Sequence, residues 1–336
     1  MSIKTFFLLL TVFSGVSANV EWSRFTTFQS RFEKKYEDIK ELTHRFNIFN
    51  ENVKDIEFHN KDTTQNYTKG INQFTDLTPD EFKLYVRNSG LLSTSTSTSL
   101  MFGLKCDEYK SSVDFSTLPD KVDLREQYMV TPVKDQGQCG SCWSFSATGA
   151  MESAHKKSTQ NLVSLSEQEL VDCSKRYMNL GCSGGDMSHA FFYVIDNGLC
   201  SESDYPYTAK DGTCQSSTCN SQIKLKGCYN VPANNQQLLK DAVMTNAVSI
   251  AIEADTAVFQ SYKSGVITSK LCGTTLDHGV LIVGYGVEDG IKYWLVKNSW
   301  GPSWGDNGYI KLERSDLTND PGVCGVSMQP TFPIHF

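Results

Sequence analysis

The sequence predicts an α+β fold, in which a helical half and a sheet half leave a cleft between them, preceded by a separate helical segment. Three observations support this prediction. Aromatic residues recur at helical spacing near the N-terminus, cysteines and glycines become frequent after Leu118, and short strand-like apolar runs fill the last third of the chain. With 336 residues, of which 39% are hydrophobic, the chain is long enough to bury a sizeable core.

The first 18 residues have the pattern of a secretory signal peptide. Lys4 precedes an apolar run from Phe6 to Phe13, and the small residues Ser17 and Ala18 suit cleavage after Ala18. Because the run is shorter than the ~20 apolar residues that a membrane span requires, we expect no membrane span. We expect the protein to enter the secretory pathway and to reside in a lysosome-like vacuole or outside the cell.

The overall charge excludes some partners. The formal net charge is -7, and no long run of lysine or arginine occurs. Nucleic acids and anionic membranes bind basic surfaces, so the sequence predicts neither as a partner. The oxidising secretory compartment favours disulfides over zinc sites for the eleven cysteines, and their odd number leaves at least one thiol outside intramolecular pairs.

Helical spacing continues from Trp22 to about Asn60, where apolar side chains recur at steps of three and four. The residues on this pattern are Trp22, Phe25, Phe32, Phe46, Phe49, Val53 and Ile56. Residues 91–100, LLSTSTSTSL, form a low-complexity tract whose short polar side chains cannot bury apolar area. We expect this tract to be a linker rich in acceptors for O-glycosylation.

The second part of the chain contains both a helix and strands. The run CWSFSATGAMESAHKK predicts a helix that begins at or near Cys142, with Phe145, Ala150, Met151 and Ala154 available for burial. The runs VLIVGYGV, YWLVKNSW and GYIKLE, bounded by Gly, Asn and Asp, predict strands.

Cys139 and Cys142 are three residues apart, a spacing that also occurs in dithiol redox pairs and zinc sites. A zinc ribbon needs a second such pair or a matching pair of histidines, and the sequence has neither. A redox pair stays open at this point, and the disulfide pairing of Cys139 decides it. Cys142 lies at the predicted helix N-terminus, where the helix dipole favours a nucleophilic thiolate.

A thiolate nucleophile needs an imidazole and a group that orients it. Of the six histidines, His278 has the most suitable context, between a turn and an apolar strand. The others lie in helical patterns or near the C-terminus, namely His44, His59, His155, His189 and His335. Asn298 in KNSWG is the candidate orienting amide, and Trp300 is placed to shield its hydrogen bond from water.

The motifs CGSCW, DHG and KNSWG together resemble the three active-site blocks of papain-like cysteine proteases, specifically the cathepsin L-like group. The resemblance implies a papain-like two-lobed fold with one helical lobe and one antiparallel sheet or barrel lobe. It implies Cys142 as nucleophile, His278 as acid and base, Asn298 as the orienting residue and Gln136 as an oxyanion-hole donor. No cofactor or metal is implied.

The same resemblance implies four disulfides. They are Cys139–Cys182, Cys173–Cys214, Cys200–Cys219 and Cys272–Cys324. Cys106 and Cys228 have no counterpart in this set, so they either remain thiols or form a bridge in the precursor.

The N-terminal segment resembles the inhibitory propeptide of the same family. Its long-helix motif is matched by Glu41, Arg45, Ile48, Phe49, Asn52, Ile56 and Asn60, and its shorter motif by Gly70, Asn72, Phe74 and Asp76. The expected division is a signal peptide over 1–18, a propeptide over 19–117 and a peptidase domain over 118–336. We expect acid to weaken inhibition as carboxylates such as Asp76 are protonated, and cleavage to follow between the Ser/Thr tract and Asp120.

The resemblance also implies a substrate pocket for the residue two places before the cut. Its lining is expected to comprise Asp186, Met187, Ala251, Leu276, Gly279 and Gln329, with further substrate contacts at Gly184, Gly185 and Trp300. Apolar walls favour Leu, Val or Phe, and Gln329 at the floor favours Leu over Phe. Asp186 at the rim would admit Arg at a reduced rate. Alternatively, Asp186 and Gln329 both point to solvent.

Three further expectations complete the sequence interpretation. The chain lacks the cleft-blocking insertion of exopeptidase relatives between Cys182 and His278, which favours an endopeptidase. From the resemblance we also expect a monomer that is inhibited by cystatin-type proteins. Asn66 in NYT is the single N-glycosylation acceptor and lies in the expected propeptide. The competing hypothesis is a catalytically inactive relative that serves as a binding protein, which usually lacks the nucleophile or the histidine.

Overall fold

The computed structural model describes residues 19–88, 91, 105–219, 222–268 and 272–335. The expected signal peptide and residues 92–100 of the Ser/Thr tract lie outside these ranges. The predictions for those two segments are therefore not addressed by the structure.

The N-terminal segment consists of helix α1 (19–31), helix α2 (Ile39–Lys61), strand β1 (Tyr67–Lys69) and helix α3 (Pro79–Arg87). The helical pattern predicted from Trp22 to Asn60 is thus interrupted between α1 and α2. Asp38 begins α2 because its side chain accepts a hydrogen bond from the Glu41 backbone N–H at 2.8 Å. The first two helices bury a small aromatic cluster of their own, comprising Phe25, Phe28, Phe49 and Val53.

The helical half of the second part contains α4 (Cys142–Thr159), α5 (Glu167–Cys173) and α6 (Met187–Asn197). Helix α4 begins at Cys142, as the sequence predicts, and all of its residues from Cys142 to Ala154 are buried. Gly149 permits its close approach to the sheet, since a Cβ there would lie 2.6 Å from Cδ2 of Leu281. Helix α4 is therefore the central helix of the molecule.

The sheet half is built from strands throughout the chain. The remaining strands are β2 (Asp107–Glu108), β3 (Val122–Asp123), β4 (Leu199–Cys200), β5 (Gln222–Ile223), β6 (Leu225–Asn230), β7 (Val248–Ile252), β8 (Tyr262–Ile267), β9 (His278–Glu288), β10 (Ile291–Lys297), β11 (Tyr309–Glu313) and β12 (Thr331–His335). Two short helices, α7 (Gln236–Thr245) and α8 (Ala257–Ser261), complete this half.

Within the described residues, the larger sheet has the order β1-β8-β11-β10-β9-β7-β12-β6-β2, and β3 also pairs with β9. Strands β4 and β5 form a separate pair. Strand β9 is central, with antiparallel neighbours β7 and β10. The N-terminal segment contributes β1 to this sheet, because β1 pairs antiparallel with β8.

Ten of the eleven cysteines form disulfides. The structure contains the pairs Cys139–Cys182, Cys173–Cys214, Cys200–Cys219 and Cys272–Cys324, together with Cys106–Cys228. The last bridge answers the question that the sequence left open for Cys106 and Cys228. The pairing of Cys139 with Cys182 is incompatible with a dithiol pair at positions 139 and 142, and Cys142 keeps its thiol.

Candidate active site

The thiol of Cys142 lies at the junction of the two halves. Cys142 is the first residue of α4, it is fully buried, and the backbone N–H of Gly279 donates to its Sγ at 3.2 Å. A Cβ at position 279 would lie 3.2 Å from Cα of Trp143 and 3.3 Å from the carbonyl carbon of Cys142. Glycine at this position therefore lets β9 approach the start of α4 closely.

His278 is the first residue of β9 and is held on two sides. Its Nε2 lies 2.8 Å from Oδ1 of Asn298, and its ring stacks on Trp300 with centroids 4.7 Å apart. Oδ1 of Asn298 also accepts from the Ser299 backbone N–H at 2.8 Å, so Nε2 of His278 carries the donated proton. Nδ1 is then the ring nitrogen that remains for proton transfer.

Burial controls the ionisation of this histidine. The side chain is fully buried, which lowers the pKa of His278 to about 4, although the hydrogen bond to Asn298 acts in the opposite direction. Burial therefore favours the neutral imidazole while the site is covered.

Gln136 is fixed in the loop before Cys142. Its side chain is fully buried, its Nε2 donates to the Cys139 carbonyl at 3.0 Å, and its Oε1 accepts from Oγ of Ser299 at 2.7 Å. An amide nitrogen carries two protons, so the group has a second proton available for a substrate oxygen. The position and chemistry fit an oxyanion-hole donor.

A buried charged cluster lies directly behind these residues and was missed by the sequence analysis. Nζ of Lys134 lies 2.6 Å from Oε1 of Glu167 and 3.3 Å from Oε1 of Glu152. With Lys297, these groups border a cavity of about 20 Å³ that Asn298 also lines. Burial raises the pKa of Glu167 to about 7, although the positive charge of the nearby Lys134 acts in the opposite direction. The position of Glu152 on the buried side of α4 is the one local signal for this cluster.

The N-terminal segment covers the site with aromatic side chains. Phe74, Phe82 and Tyr85 surround Trp300, with ring centroids at 5.3, 5.8 and 6.2 Å. Gln73 adds a hydrogen bond from its Nε2 to the Trp300 carbonyl at 2.5 Å. Because Trp300 stacks on His278, this aromatic cover closes the site from solvent.

Tyr85 of α3, and Asn88 and Leu91 after this helix, contact further residues along the cleft. The hydroxyl of Tyr85 donates to the Gly137 carbonyl at 3.0 Å, the carbonyl of Asn88 lies against Gly140, and Leu91 forms a β-bridge with Gly185. The segment therefore extends from the Trp300 end of the cleft to the Gly184–Gly185 end.

The expected pocket residues occupy different positions around the site. Met187 and Ala251 are fully buried, and Ala251 pairs with Gly279 across β7 and β9. Cδ2 of Leu276 and Sδ of Met328 both lie within 3.0 Å of the position that a Cβ on Gly325 would take. Met328, which the sequence analysis did not select, is therefore a neighbour of Leu276.

The two polar candidates for the pocket differ in their environment. Asp186 is 5% exposed, and its Oδ1 accepts from the backbone N–H groups of Ser188 at 2.8 Å and His189 at 3.3 Å. The carboxylate is thus the N-cap of α6. Gln329 is half-buried.

Comparison with known proteins identifies the arrangement. The model of the papain family of cysteine proteases matches residues 118–334, and that of the cathepsin propeptide inhibitor domain (I29) matches residues 25–82. The chain belongs to the papain family of cysteine proteases. It is a cysteine protease zymogen, and the expected papain-like α+β fold with an N-terminal inhibitory propeptide is confirmed.

Papain-family relatives match over most of the chain. The senescence-specific cysteine protease SAG39 of Oryza sativa subsp. japonica is 45% identical over 313 residues, which cover 93% of this chain and 89% of the relative. The germination-specific cysteine protease 1 of Arabidopsis thaliana is 44% identical over 302 residues, which cover 89% and 79%.

Solved papain-family precursors share the fold. The digestive procathepsin L 3 of the Tenebrio molitor larval midgut has a TM-score of 0.83 at 38% identity and covers 94% of this chain and 99% of its own. A recombinant stem bromelain precursor has a TM-score of 0.81 at 37% identity, with the same coverage.

The described residues provide little support for a membrane-spanning helix or a metal site. Among the described residues, no helix combines the length and the hydrophobicity needed to cross a membrane. Potential metal-ligand atoms of Glu169, Cys200 and Cys219 lie close together, but both sulfurs belong to one disulfide. In addition, the Glu169 carboxylate accepts hydrogen bonds from the Tyr193 hydroxyl and the Cys200 backbone N–H.

Proposed function

We propose that this papain-family zymogen becomes an endopeptidase in which Cys142 is the nucleophile and His278 transfers the proton. The single observation that carries this proposal is the convergence of β9 and α4, where the Gly279 N–H contacts Cys142 Sγ at 3.2 Å and the adjacent His278 binds Asn298 at 2.8 Å. These contacts join a thiol, an imidazole and an orienting amide from three distant parts of the chain.

In the proposed reaction, the thiol proton moves to His278 and the thiolate of Cys142 attacks the peptide carbonyl carbon. As the C–S bond forms, the carbonyl electron pair moves to oxygen, where the Cys142 backbone N–H and the Gln136 amide stabilise it. The C–N bond then breaks as the imidazolium protonates the leaving amine. Water attacks the thioester with His278 as base, which releases the acid and restores the thiol.

Cys142→Ala should abolish peptide hydrolysis, and His278→Ala should reduce kcat by about a hundredfold to ten-thousandfold, because nucleophilic attack and proton transfer are lost. The measurement is hydrolysis of a fluorogenic peptide amide after activation by an added active protease. His155→Ala is the matched control, since His155 pairs with His335 at 2.9 Å instead of contacting the cleft residues. Activity of either cleft variant within about tenfold of wild type would contradict the assignment.

We further propose that Met187, Ala251 and Leu276 form an apolar pocket for the residue two places before the cut. Met187 and Ala251 are buried, Leu276 is half-buried, and all three side chains are apolar, which supports a preference for Leu or Val. Met328 beside Leu276 is a candidate for one wall of this pocket. The use of Asp186 as a helix cap weighs against a role in binding Arg.

Entry into the secretory pathway, N-glycosylation of Asn66 and inhibition by cystatin-type proteins are further proposals. The five disulfides support an oxidising compartment. Asn66 is exposed, and its Nδ2 lies 3.1 Å from Oγ1 of Thr268, so the acceptor nitrogen is at the surface of the zymogen. We place the endopeptidase in a lysosome-like vacuole or outside the cell.

A further inference from the structure

Two basic residues of the propeptide converge on one carboxylate of the catalytic domain. Nε of Arg87 lies 3.0 Å and Nζ of Lys83 lies 3.3 Å from Oδ2 of Asp255. The Asp255 side chain is only 4% exposed, whereas those of Lys83 and Arg87 are 43% and 56% exposed. In the zymogen, two cations of the propeptide thus lie on one buried carboxylate of the catalytic domain.

The surroundings of Asp255 are acidic and adjoin the catalytic histidine. Oδ1 of Asp277, the residue before His278, accepts from the Ala254 backbone N–H at 2.8 Å. Burial raises the pKa of Asp277 to about 7, and the charges of Asp255 and Glu253 act in the same direction. Carboxylates that lie close together repel one another, and a cation that binds beside them reduces this repulsion.

The position of Asp255 along the cleft follows from the path of the propeptide. Helix α3 contacts Asp255 and Trp300, and the chain then passes Gly140, two residues before Cys142, and reaches Gly185 at Leu91. Gly185 is close in sequence to Met187, which belongs to the pocket proposed for the residue two places before the cut. Asp255 therefore lies on the opposite side of Cys142, where the leaving part of the substrate would lie.

We propose that Asp255 is a specificity-determining residue of the endopeptidase, which binds a lysine or arginine side chain in the first or second residue after the scissile bond. The inference rests on the proposed function and adds a substrate class to it. In the zymogen, Lys83 and Arg87 fill this subsite. Activation removes both cations, and the carboxylate of Asp255 is then available to a basic side chain of the substrate.

The test uses internally quenched peptides that share one sequence before the cut. They carry either lysine or uncharged norleucine at the first or second position after the cut. For the wild-type enzyme we expect kcat/KM to be about fivefold higher for lysine, since a partly exposed ion pair is worth up to about one order of magnitude. Asp255→Asn should reduce the ratio to about one. The preference should also decrease as salt is added, because ions screen the pair.

Glu253→Gln is the matched control, because it removes one negative charge two residues before Asp255. The Glu253 carboxylate accepts a hydrogen bond from the Thr275 backbone N–H at 2.5 Å. This variant should keep the preference. A similar loss in both variants, or an unchanged ratio in Asp255→Asn, would overturn the proposed subsite. A fluorogenic amide without residues after the cut should be hydrolysed equally by all three enzymes. If the wild type fails to hydrolyse even this substrate, it is the proposed endopeptidase function that fails.

Discussion

The ionisation of His278 links the covering of the active site to pH. Burial holds its pKa at about 4 in the zymogen, against an ordinary value of 6.5. An uncovered ring binds more protons between these values, so the closed form loses stability relative to the open form as pH falls from 6.5 to 4. The histidine thus makes the covered form less stable in acid.

The pKa of His278 should rise from about 4 in the zymogen towards its ordinary value of 6.5 when the propeptide is removed, because desolvation of the imidazolium is relieved. NMR titration of ¹³C-labelled histidine in the Cys142→Ala protein, before and after cleavage by added active protease, measures this change. The spectrum of a variant that also carries His278→Ala assigns the signal. Equal pKa values in both forms would show that the propeptide does not control this group.

At the scale of elements, helix α3 supplies two of the three propeptide aromatic side chains that surround Trp300, namely Phe82 and Tyr85. Pro79 and the capping box of Thr78 with Glu81 define its start. Its inward residues, Phe82 and Val86, are fully buried, whereas Leu84 is 60% exposed. Inhibition by α3 therefore depends on one face of a helix of nine residues.

Phe82→Ala should weaken autoinhibition, because truncating a buried phenylalanine typically costs about 3 to 5 kcal/mol and this ring contacts Trp300. We expect the variant zymogen to convert faster, and at a less acidic pH, than wild type in a gel-based time course. Leu84→Ala is the matched control from the exposed face of the same helix and should convert at the wild-type rate. Identical time courses for Phe82→Ala and wild type would show that the packing of α3 does not contribute to autoinhibition.

At the scale of the whole molecule, the segment around Cys106 belongs physically to the catalytic domain. Cys106 is bonded to Cys228, β2 pairs with β6, and the Tyr109 hydroxyl donates to Oδ2 of Asp241 at 2.7 Å. The boundary at residue 118 expected from the sequence stays a prediction, and the match to the papain family begins at the same residue. We propose that residues from Cys106 onward stay with the enzyme after maturation.

Activated enzyme analysed without reductant should therefore retain the peptide that contains Cys106, either as its N-terminal extension or as a disulfide-linked fragment. Intact mass spectrometry before and after reduction distinguishes these forms. A mass beginning near residue 118, with a Cys228 thiol that alkylates without reduction, would contradict the proposal. Joint replacement of Cys106 and Cys228 by Ala should destabilise the protein by about 2 to 4 kcal/mol in denaturant unfolding, since the bridge closes a long loop.

Sequence predicted those features whose signal lies within a short run of residues. Cys142, His278 and Asn298 each lie in a short motif, and the structure gives a hydrogen bond between the latter two. The Cys106–Cys228 bridge could not be derived, because cysteine spacing alone does not determine pairing.

Contacts between distant segments were also beyond the sequence. The ion pairs of Lys83 and Arg87 with Asp255 depend on how two separately encoded segments pack together. The N-cap role of Asp186 has a local signal, because an Asp that precedes a helix commonly accepts hydrogen bonds from the first backbone N–H groups of that helix. The sequence-based expectation for Asp186 was a place in the substrate pocket instead.

The pairing of β1 with β8 has a consequence for the released enzyme. In the zymogen, the propeptide occupies this edge, and the flanking bonds Val266 N–H to the Asn66 carbonyl and Gly70 N–H to the Ser261 carbonyl are both 2.8 Å long. Loss of the propeptide leaves these backbone groups at or beside an open edge of the sheet, which is a template for intermolecular strand pairing. Gly265, with φ of +86°, interrupts regular extension there. Removal of the propeptide therefore relieves inhibition and also increases the tendency of the enzyme to aggregate. The precursor is the form better suited to storage at high concentration.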